Sequence, residues 1–214
     1  MSKITDIQPQ KRNKNRVNVY VDGEYVLALE LLTVMKLGLK IGNDVTEAEL
    51  SEAAADTEKS VALERAMNYI ARGSKTSSQL RKYLVDKQYA PDVVEYVLQK
   101  MKYYGYIDDQ AYAESYARLN GSSKGSRRIK TELIQRGISV RDAEKYSAQD
   151  EEQTRENAER LAERYMRGKQ PDIKNLQRLQ RHLVSRGYDF DVVNGVVRKY
   201  RQAATAVDDE DVYD

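Results

Sequence analysis

Two groups of basic side chains provide the residue types that bind anions. Lysine and arginine pair with phosphates and carboxylates through charge-assisted hydrogen bonds, and the arginine fork can engage either group in a bidentate manner. The first group surrounds the start of one predicted helix, and the second recurs near matching positions later in the chain. We expect both groups to contact nucleic-acid phosphate or the acidic surface of a partner protein. The residues assigned to this role are Lys124, Arg127, Arg128, Lys130, Arg136, Arg178, Arg181 and Arg186.

No pattern of catalytic residues accompanies these cations. The sequence contains no Walker-type loop, GxGxxG, HExxH or GxSxG motif. Residues 121–126 (GSSKGS) superficially resemble a phosphate loop, but they lack the Walker spacing and follow no strand, which favours a flexible linker. His182 with Arg186 could suggest a tyrosine recombinase, yet a single histidine on a helix is more simply a surface residue. We expect no enzyme activity, no cofactor and no metal site.

The composition favours small modules with thin cores. Of 214 residues, 40% are hydrophobic and 33% are charged, which is lean for one thick core. The absence of cysteine excludes disulfides and thiolate zinc sites. No apolar run approaches the roughly 20 residues that cross a bilayer, and the N-terminus lacks the apolar segment of a signal peptide. We therefore expect a cytoplasmic protein.

A net charge of +2 hides an uneven distribution. Residues 120–146 hold seven basic and three acidic residues, and residues 164–202 hold ten and three. The last seven residues, 208–214, contain five acids. A basic body with an acidic tail indicates a polyanionic or acidic partner, although solvated helix faces would give a similar pattern.

Six tyrosines fall within a short stretch and allow two interpretations. Aromatic rings among lysines such as Lys100 and Lys102 are typical of platforms on which single-stranded nucleic acid stacks. Alternatively, tyrosine replaces the missing tryptophan and scarce phenylalanine as the large core residue, with its hydroxyl reaching water. We favour the core interpretation. The tyrosines are Tyr96, Tyr103, Tyr104, Tyr106, Tyr112 and Tyr116.

The only β-like segment lies near the N-terminus. Apolar and polar residues alternate over residues 17–21, which is the period of a half-buried strand. Asp22 and Gly23 then supply a two-residue hairpin turn, and residues 25–29 form the returning strand. Residues 3–8 could add a third strand at the edge. Because an isolated hairpin is marginal in water, this one should rest on another element.

The rest of the chain is predicted to be helical. Two short helices should follow the hairpin, at about residues 30–36 and 47–54, and Thr46 with Glu49 forms a capping box for the second. From residue 57 onward we predict three tandem modules of three helices each. Their first helices cover about residues 58–72, 109–119 and 154–167.

An internal repeat defines these modules. Residues 79–98, 128–147 and 178–197 align with a period of about 50 residues. Three aligned positions are apolar in every window, and we expect all three on one buried stripe. They are Leu80, Ile129 and Leu179; Leu84, Leu133 and Leu183; and Val85, Ile134 and Val184.

Each window then breaks and restarts in the same way. Gly137 and Gly187 suit the left-handed position that ends a helix, whereas Gln88 lacks that freedom. One apolar or aromatic residue follows, and the next helix begins near Pro91, Ser139 or Asp189. Such modules must stack to bury their cores, so we expect a mainly α-helical, elongated tandem array with a small N-terminal β-hairpin extension.

The expected domain organisation follows from these patterns. The N-terminal hairpin and short helices occupy residues 1–56. The three-helix repeats occupy residues 57–107, 108–150 and 151–202, and an acidic, disordered tail occupies residues 203–214.

Two alternatives to a partner-bound array remain open. Short helices joined by a glycine turn also fit a helix-turn-helix DNA reader, but residues 92–98 and 189–193 are poor in the basic and amide side chains that such a helix presents. A generic helical scaffold would bind neither DNA nor a DNA-bound protein.

The chain contains several spaced motifs, which are residues 105–113 (GYIDDQAYA), Lys124-Gly125, Arg128-Ile129, Glu132-Leu133 and Arg136-Gly137-Ile138. These motifs resemble those of the RecX regulatory proteins, bacterial modulators of the RecA recombinase. The hairpin at residues 16–29 is similar to an extension of Gram-positive members. Ile107 stands where the family usually has an aromatic residue, and the acidic tail is outside the family pattern.

The resemblance implies tandem three-helix repeats and a regulatory role without catalysis. It implies binding in the groove of the RecA filament on single-stranded DNA, with inhibition of ATP hydrolysis and strand exchange or filament disassembly. We expect a monomer, with DNA as a possible direct partner and no membrane partner. Reversal of Arg127 and Arg128 to Glu should weaken filament binding without unfolding the protein.

Overall fold

The computed structural model describes residues 2–210, with side chains described through residue 202. The chain is mainly helical and divides into two compact units, Met1–Ser74 with Leu80–Ile107 and Lys75–Gln79 with Asp108–Asp214. The elements in chain order are β1 (Ser2–Pro9), β2 (Arg16–Val21), β3 (Glu24–Glu30), α1 (Leu31–Lys36), β4 (Asp44–Val45), α2 (Glu47–Ile70), α3 (Ser77–Asp86), α4 (Pro91–Tyr103), α5 (Asp109–Asn120), α6 (Ser126–Gln135), α7 (Val140–Ser147), α8 (Glu151–Met166), α9 (Ile173–Ser185) and α10 (Phe190–Glu210).

The N-terminal strands form an antiparallel sheet in the order β3-β2-β1-β4. The predicted hairpin is confirmed: Asp22 and Gly23 both have positive φ, 52° and 90°, as its two-residue turn requires. The third strand was correctly predicted, but its N-terminal end was wrongly placed at the edge. Short strand β4 pairs with Ser2 and Lys3, so β1 has a second neighbour at its N-terminal end while the rest of β1 stays at the edge.

The sheet rests on α2, which also contributes to the first helical repeat. Ala53 of α2 lies in the core of the sheet, and Thr57 Oγ1 accepts a hydrogen bond from Glu30 N at 3.2 Å. The capping box of Thr46 and Glu49 is present. The predicted short helix and the first helix of the repeat are one continuous helix of 24 residues, because no glycine or proline interrupts residues 47–70. The predicted boundary at residue 56 therefore falls inside a helix.

The three predicted helical repeats are confirmed as α2–α4, α5–α7 and α8–α10. The first two aligned apolar positions of each repeat are fully buried, as predicted, in three separate cores. The third position was wrongly placed on the buried stripe. Val85, Ile134 and Val184 are exposed by 56%, 38% and 38%, because a residue five positions along a helix has turned about 140° from the first.

The turn after the middle helix has the same conformation in every repeat. Gly137 and Gly187 have φ of 83° and 86°. Gln88 was expected to avoid this region, yet its φ is 63°. The turn still closes as in the other repeats, with Tyr89 N donating to Leu84 O at 3.3 Å. The hydrogen bonds and packing of the turn therefore override the preference for glycine.

The last helix is longer than the repeat requires. α10 runs to Glu210, so the backbone of the first residues of the predicted acidic tail is helical. Residues 211–214 lie outside the described residues. Of the helices within residues 2–210, none has both the length and the hydropathy needed to cross a membrane.

Candidate partner-binding surface

Glu132 on α6 is the centre of a polar network in the second repeat. Its carboxylate accepts hydrogen bonds from Lys124 Nζ at 2.7 Å, from Arg128 Nε at 2.9 Å and from the Tyr116 hydroxyl. Lys124 Nζ also donates to the Tyr116 hydroxyl at 3.2 Å. The side chains of Lys124 and Glu132 are only 20% and 12% exposed. Lys124 therefore stabilises its own repeat rather than projecting toward a partner.

The network determines the charge state of Glu132. Burial raises the pKa of the carboxyl group, but three donated hydrogen bonds outweigh burial and lower the pKa from 4.5 to about 2. Burial likewise lowers the pKa of Lys124, while its bonds to Glu132 and Tyr116 outweigh burial and leave the pKa above 10.5. Both groups remain charged at neutral pH.

We predict that Glu132→Gln lowers the free energy of unfolding by about 2 kcal/mol at pH 7, because it leaves Lys124 half-buried without a counter-charge. The Glu132 carboxylate contributes its full stabilisation above pH 4.5, which is its pKa in the unfolded chain. This stabilisation is lost as the pH falls through about 2, which is its pKa in the folded protein. Urea unfolding should therefore show the difference from wild type shrinking below pH 4.5. A difference that stays constant down to the lowest pH would contradict this account.

Glu144→Gln is the matched control. Glu144 pairs with Lys130, but its side chain is 58% exposed. Solvent screens such pairs, so this variant should lose less than about 1 kcal/mol.

Arg127 and Arg128 attach the second repeat to the third. Arg127 forms an ion pair with Asp189, and Arg128 Nη1 donates to the Ser185 carbonyl at 3.2 Å. Arg128 also pairs with Glu132. Reversing both arginines would therefore break contacts inside the protein. Both arginine side chains are more than half exposed, so losing these contacts should cost little stability, and the effect of the double reversal on filament binding stays a prediction.

The other two predicted residues of the second repeat also have internal partners. Lys130 pairs with Glu144 across α6 and α7. Arg136 lies 4.4 Å from the centre of the Tyr116 ring, and its Nη1 donates to the Glu132 carbonyl at 2.9 Å. A partner-binding role for Lys124, Arg127, Arg128, Lys130 and Arg136 stays a prediction, and their internal contacts make them weak candidates.

The third repeat presents its cations differently. Arg178, Arg181 and Arg186 are all exposed, and none forms an ion pair among the side chains of residues 2–202. Arg178 and Arg181 share one face of α9 with Lys174, at spacings of four and three residues. This face is opposite the buried Leu179. We call Lys174, Arg178 and Arg181 the α9 basic stripe; Arg186 follows at the end of the helix.

The segment carrying the stripe has no internal counter-charge. Residues 173–188 contain no acidic residue. Burial is the largest cause that lowers the pKa of His182, and the nearby positive charges of Arg186 and Lys169 lower that pKa further. Lys169 Nζ also lies 3.5 Å from the centre of the Tyr165 ring, which stacks on His182. Between its N-cap Asp172 and Asp189, this segment therefore carries positive charge only.

Comparison with known proteins identifies the family. Residues 2–46 match the "Regulatory protein RecX N-terminal domain", and residues 62–101, 108–145 and 151–197 match the first, second and third three-helix domains of RecX. The chain is 33% identical to "Regulatory protein RecX" of Clostridium perfringens (strain 13 / Type A) over 93% of its own length and 96% of that relative. The chain belongs to the RecX family.

Other RecX proteins agree with this assignment. "Regulatory protein RecX" of Clostridioides difficile (strain 630) is 32% identical over 93% of this chain and 96% of the relative. A solved structure, "Crystal structure of regulatory protein RecX", superposes with a TM-score of 0.72 at 29% identity and covers 92% of this chain and 98% of its own. RecX from Lactobacillus salivarius, with a TM-score of 0.61 at 24% identity over 69% of this chain and 99% of its own, shares the fold.

Two sets of exposed cations in this RecX chain were missed from the sequence. Lys174 was overlooked because it shares a helix face with Arg178 and Arg181 only if α9 begins before it. Lys11, Arg12 and Lys14 lie in the loop between β1 and β2, are exposed, and have no ion pair within the described part of the chain. Three basic residues among four positions were the signal that could have revealed this loop.

The tyrosines of the RecX chain divide into two groups. Tyr112 and Tyr116 pack against the core of the second repeat, as predicted. The core prediction is wrong for Tyr103, Tyr104 and Tyr106, which are 80%, 62% and 51% exposed. Tyr103 belongs to α4 but lies two residues after the buried Met101, on the opposite side of the helix, and Tyr104 and Tyr106 follow the helix end.

Proposed function

We propose that this RecX family protein binds the RecA–DNA filament, lies along its groove, and inhibits ATP hydrolysis and strand exchange, thereby modulating DNA repair and recombination. It acts in the cytoplasm as a monomer, by binding and without catalysis. Membership of a family whose relatives carry the name "Regulatory protein RecX" supports a regulatory role.

The observation that carries the proposal is the unpaired α9 basic stripe. Its three side chains project from one helix face in a segment without acids. Such a stripe fits a regular row of anionic groups, which a filament offers as protein carboxylates or DNA phosphates. Weak contacts from successive repeats of one chain add through effective concentration.

A direct titration tests the partner. Labelled single-stranded DNA, bare or coated with the recombinase, is titrated with the protein at matched salt. We expect preferential binding to the coated DNA. Equal or tighter binding to bare DNA would favour the alternative function, a stand-alone DNA-binding protein of the helical-repeat type. Binding to neither would indicate a scaffold and contradict both.

A further inference from the structure

Tyr103, Tyr104 and Tyr106 form a cluster of exposed rings at the C-terminal end of α4. We infer that this cluster is a stacking site for the bases of single-stranded nucleic acid, contacted directly by the protein. The α9 basic stripe belongs to the other unit. The inference stands apart from the proposed inhibition of the recombinase, because bare DNA suffices to test it.

The rings are held by a rigid turn rather than by a mobile loop. Gly105 adopts a φ of 71°, its amide donates to Lys102 O at 3.0 Å, and the amide of Tyr106 donates to Met101 O at 2.9 Å. These two bonds form the Schellman closure of a helix. Ile107 then enters the core of the first repeat and fixes the far side of the turn. Binding a ligand therefore requires little ordering of the backbone.

The rings leave their faces available. Tyr103 and Tyr104 meet edge to face, with centroids 5.1 Å apart and planes at 80°, and Tyr104 and Tyr106 lie 6.3 Å apart at 54°. By contrast, Tyr69 and Tyr83 stack face to face at 4.1 Å and cover each other. A contiguous group of exposed aromatic side chains marks an interaction site more often than isolated ones do.

The surrounding charge favours nucleic acid over a protein partner. Lys100 and Lys102 each lie within three residues of an exposed ring, and the carboxylates of Asp108 and Asp109, which follow, accept hydrogen bonds from backbone amides. Aromatic rings beside lysines combine base stacking with attraction to phosphate, and stacking tolerates any base. The same unit carries the exposed cations of the β1–β2 loop, Lys11, Arg12 and Lys14. A single strand is the expected form because its bases are unpaired and accessible.

The test compares three probes by fluorescence anisotropy at matched salt: an oligothymidine of about 20 nucleotides, an abasic strand with the same number of phosphates, and a duplex of the same length. We expect wild type to prefer oligothymidine over the abasic strand. Replacing Tyr103, Tyr104 and Tyr106 by Ala should weaken oligothymidine binding about 10- to 100-fold and leave the other two probes nearly unchanged. Replacing the same three by Phe should preserve binding, because the rings remain.

Tyr25→Ala is the matched control, since Tyr25 is an exposed tyrosine of the same unit that lies on the sheet. It should bind every probe like wild type. Wild type that fails to bind oligothymidine, or an Ala triple variant that binds it normally, would overturn the inference. Equal losses on all three probes would also overturn it by indicating a charge or folding effect. Normal oligothymidine binding with lost inhibition of the recombinase would assign the cluster to a protein partner instead.

Discussion

Gly187→Ala should lower the free energy of unfolding by about 4 kcal/mol. Gly187 has a φ of 86°, a conformation that strains any other residue. An added Cβ would also lie 2.8 Å from Arg128 Cα and closer still to the backbone nitrogen of the same residue. Those atoms belong to the backbone at the start of α6, so they cannot move aside as a flexible side chain could. The measurement is the midpoint and slope of urea unfolding.

Gly168→Ala measures the cost of a positive φ without a steric clash, and so separates backbone strain from the close contact at Gly187. Gly168 has a φ of 74°, but no atom would lie within 4 Å of its added Cβ. This variant should lose only about 1 kcal/mol. Similar losses in both variants would show that the contact between the second and third repeats is unimportant. Gly125→Ala should resemble Gly187→Ala, because its Cβ would lie 2.6 Å from Tyr188 N at the same crossing.

Reversing the whole α9 basic stripe should weaken binding to the recombinase filament by about 100-fold, or 2.7 kcal/mol. The variant is Lys174→Glu, Arg178→Glu and Arg181→Glu. Folding should be unaffected, because the three side chains are exposed and the stripe already places like charges four residues apart. Anisotropy of labelled, recombinase-coated DNA gives the affinity, and circular dichroism checks the fold.

The charge-matched control for the stripe lies in the other unit. Lys40, Arg72 and Lys82 are exposed and form no ion pair with any side chain described through residue 202, and their reversal changes the net charge equally. This control should bind within about threefold of wild type. If the stripe contacts phosphate, its reversal should also reduce the salt dependence by about 0.7 per lost contact on single-stranded DNA. Equal effects of the two triple variants would mean that only net charge matters.

Local patterns predicted most of the fold. Asp22 and Gly23 identified the hairpin because their backbone preferences act within the turn itself. The pairs Leu80 with Leu84 and Leu179 with Leu183 identified the buried helix faces because their spacing matches the helical period. The continuity of α2 was missed because we expected a break between the hairpin region and the repeats where no breaking residue exists.

The candidate surface was harder to predict because charge alone does not reveal pairing. The basic pattern singles out both Arg127 and Arg178, yet Arg127 pairs with Asp189 in the next repeat, while Arg178 pairs with no acid among the described side chains. Pairing between distant residues depends on tertiary packing, which spacing within one helix cannot report. Tyr103 was misplaced because its ring lies on the side of α4 opposite the buried Met101.

ATP hydrolysis by the recombinase on single-stranded DNA, measured with and without this protein, tests the proposed function most directly. We expect wild type to suppress the steady-state rate as its concentration approaches that of the filament, with Lys40→Glu, Arg72→Glu, Lys82→Glu equally effective. The α9 stripe variant should require about 100-fold more protein for the same suppression. An ATPase rate unchanged by saturating wild-type protein would contradict the account.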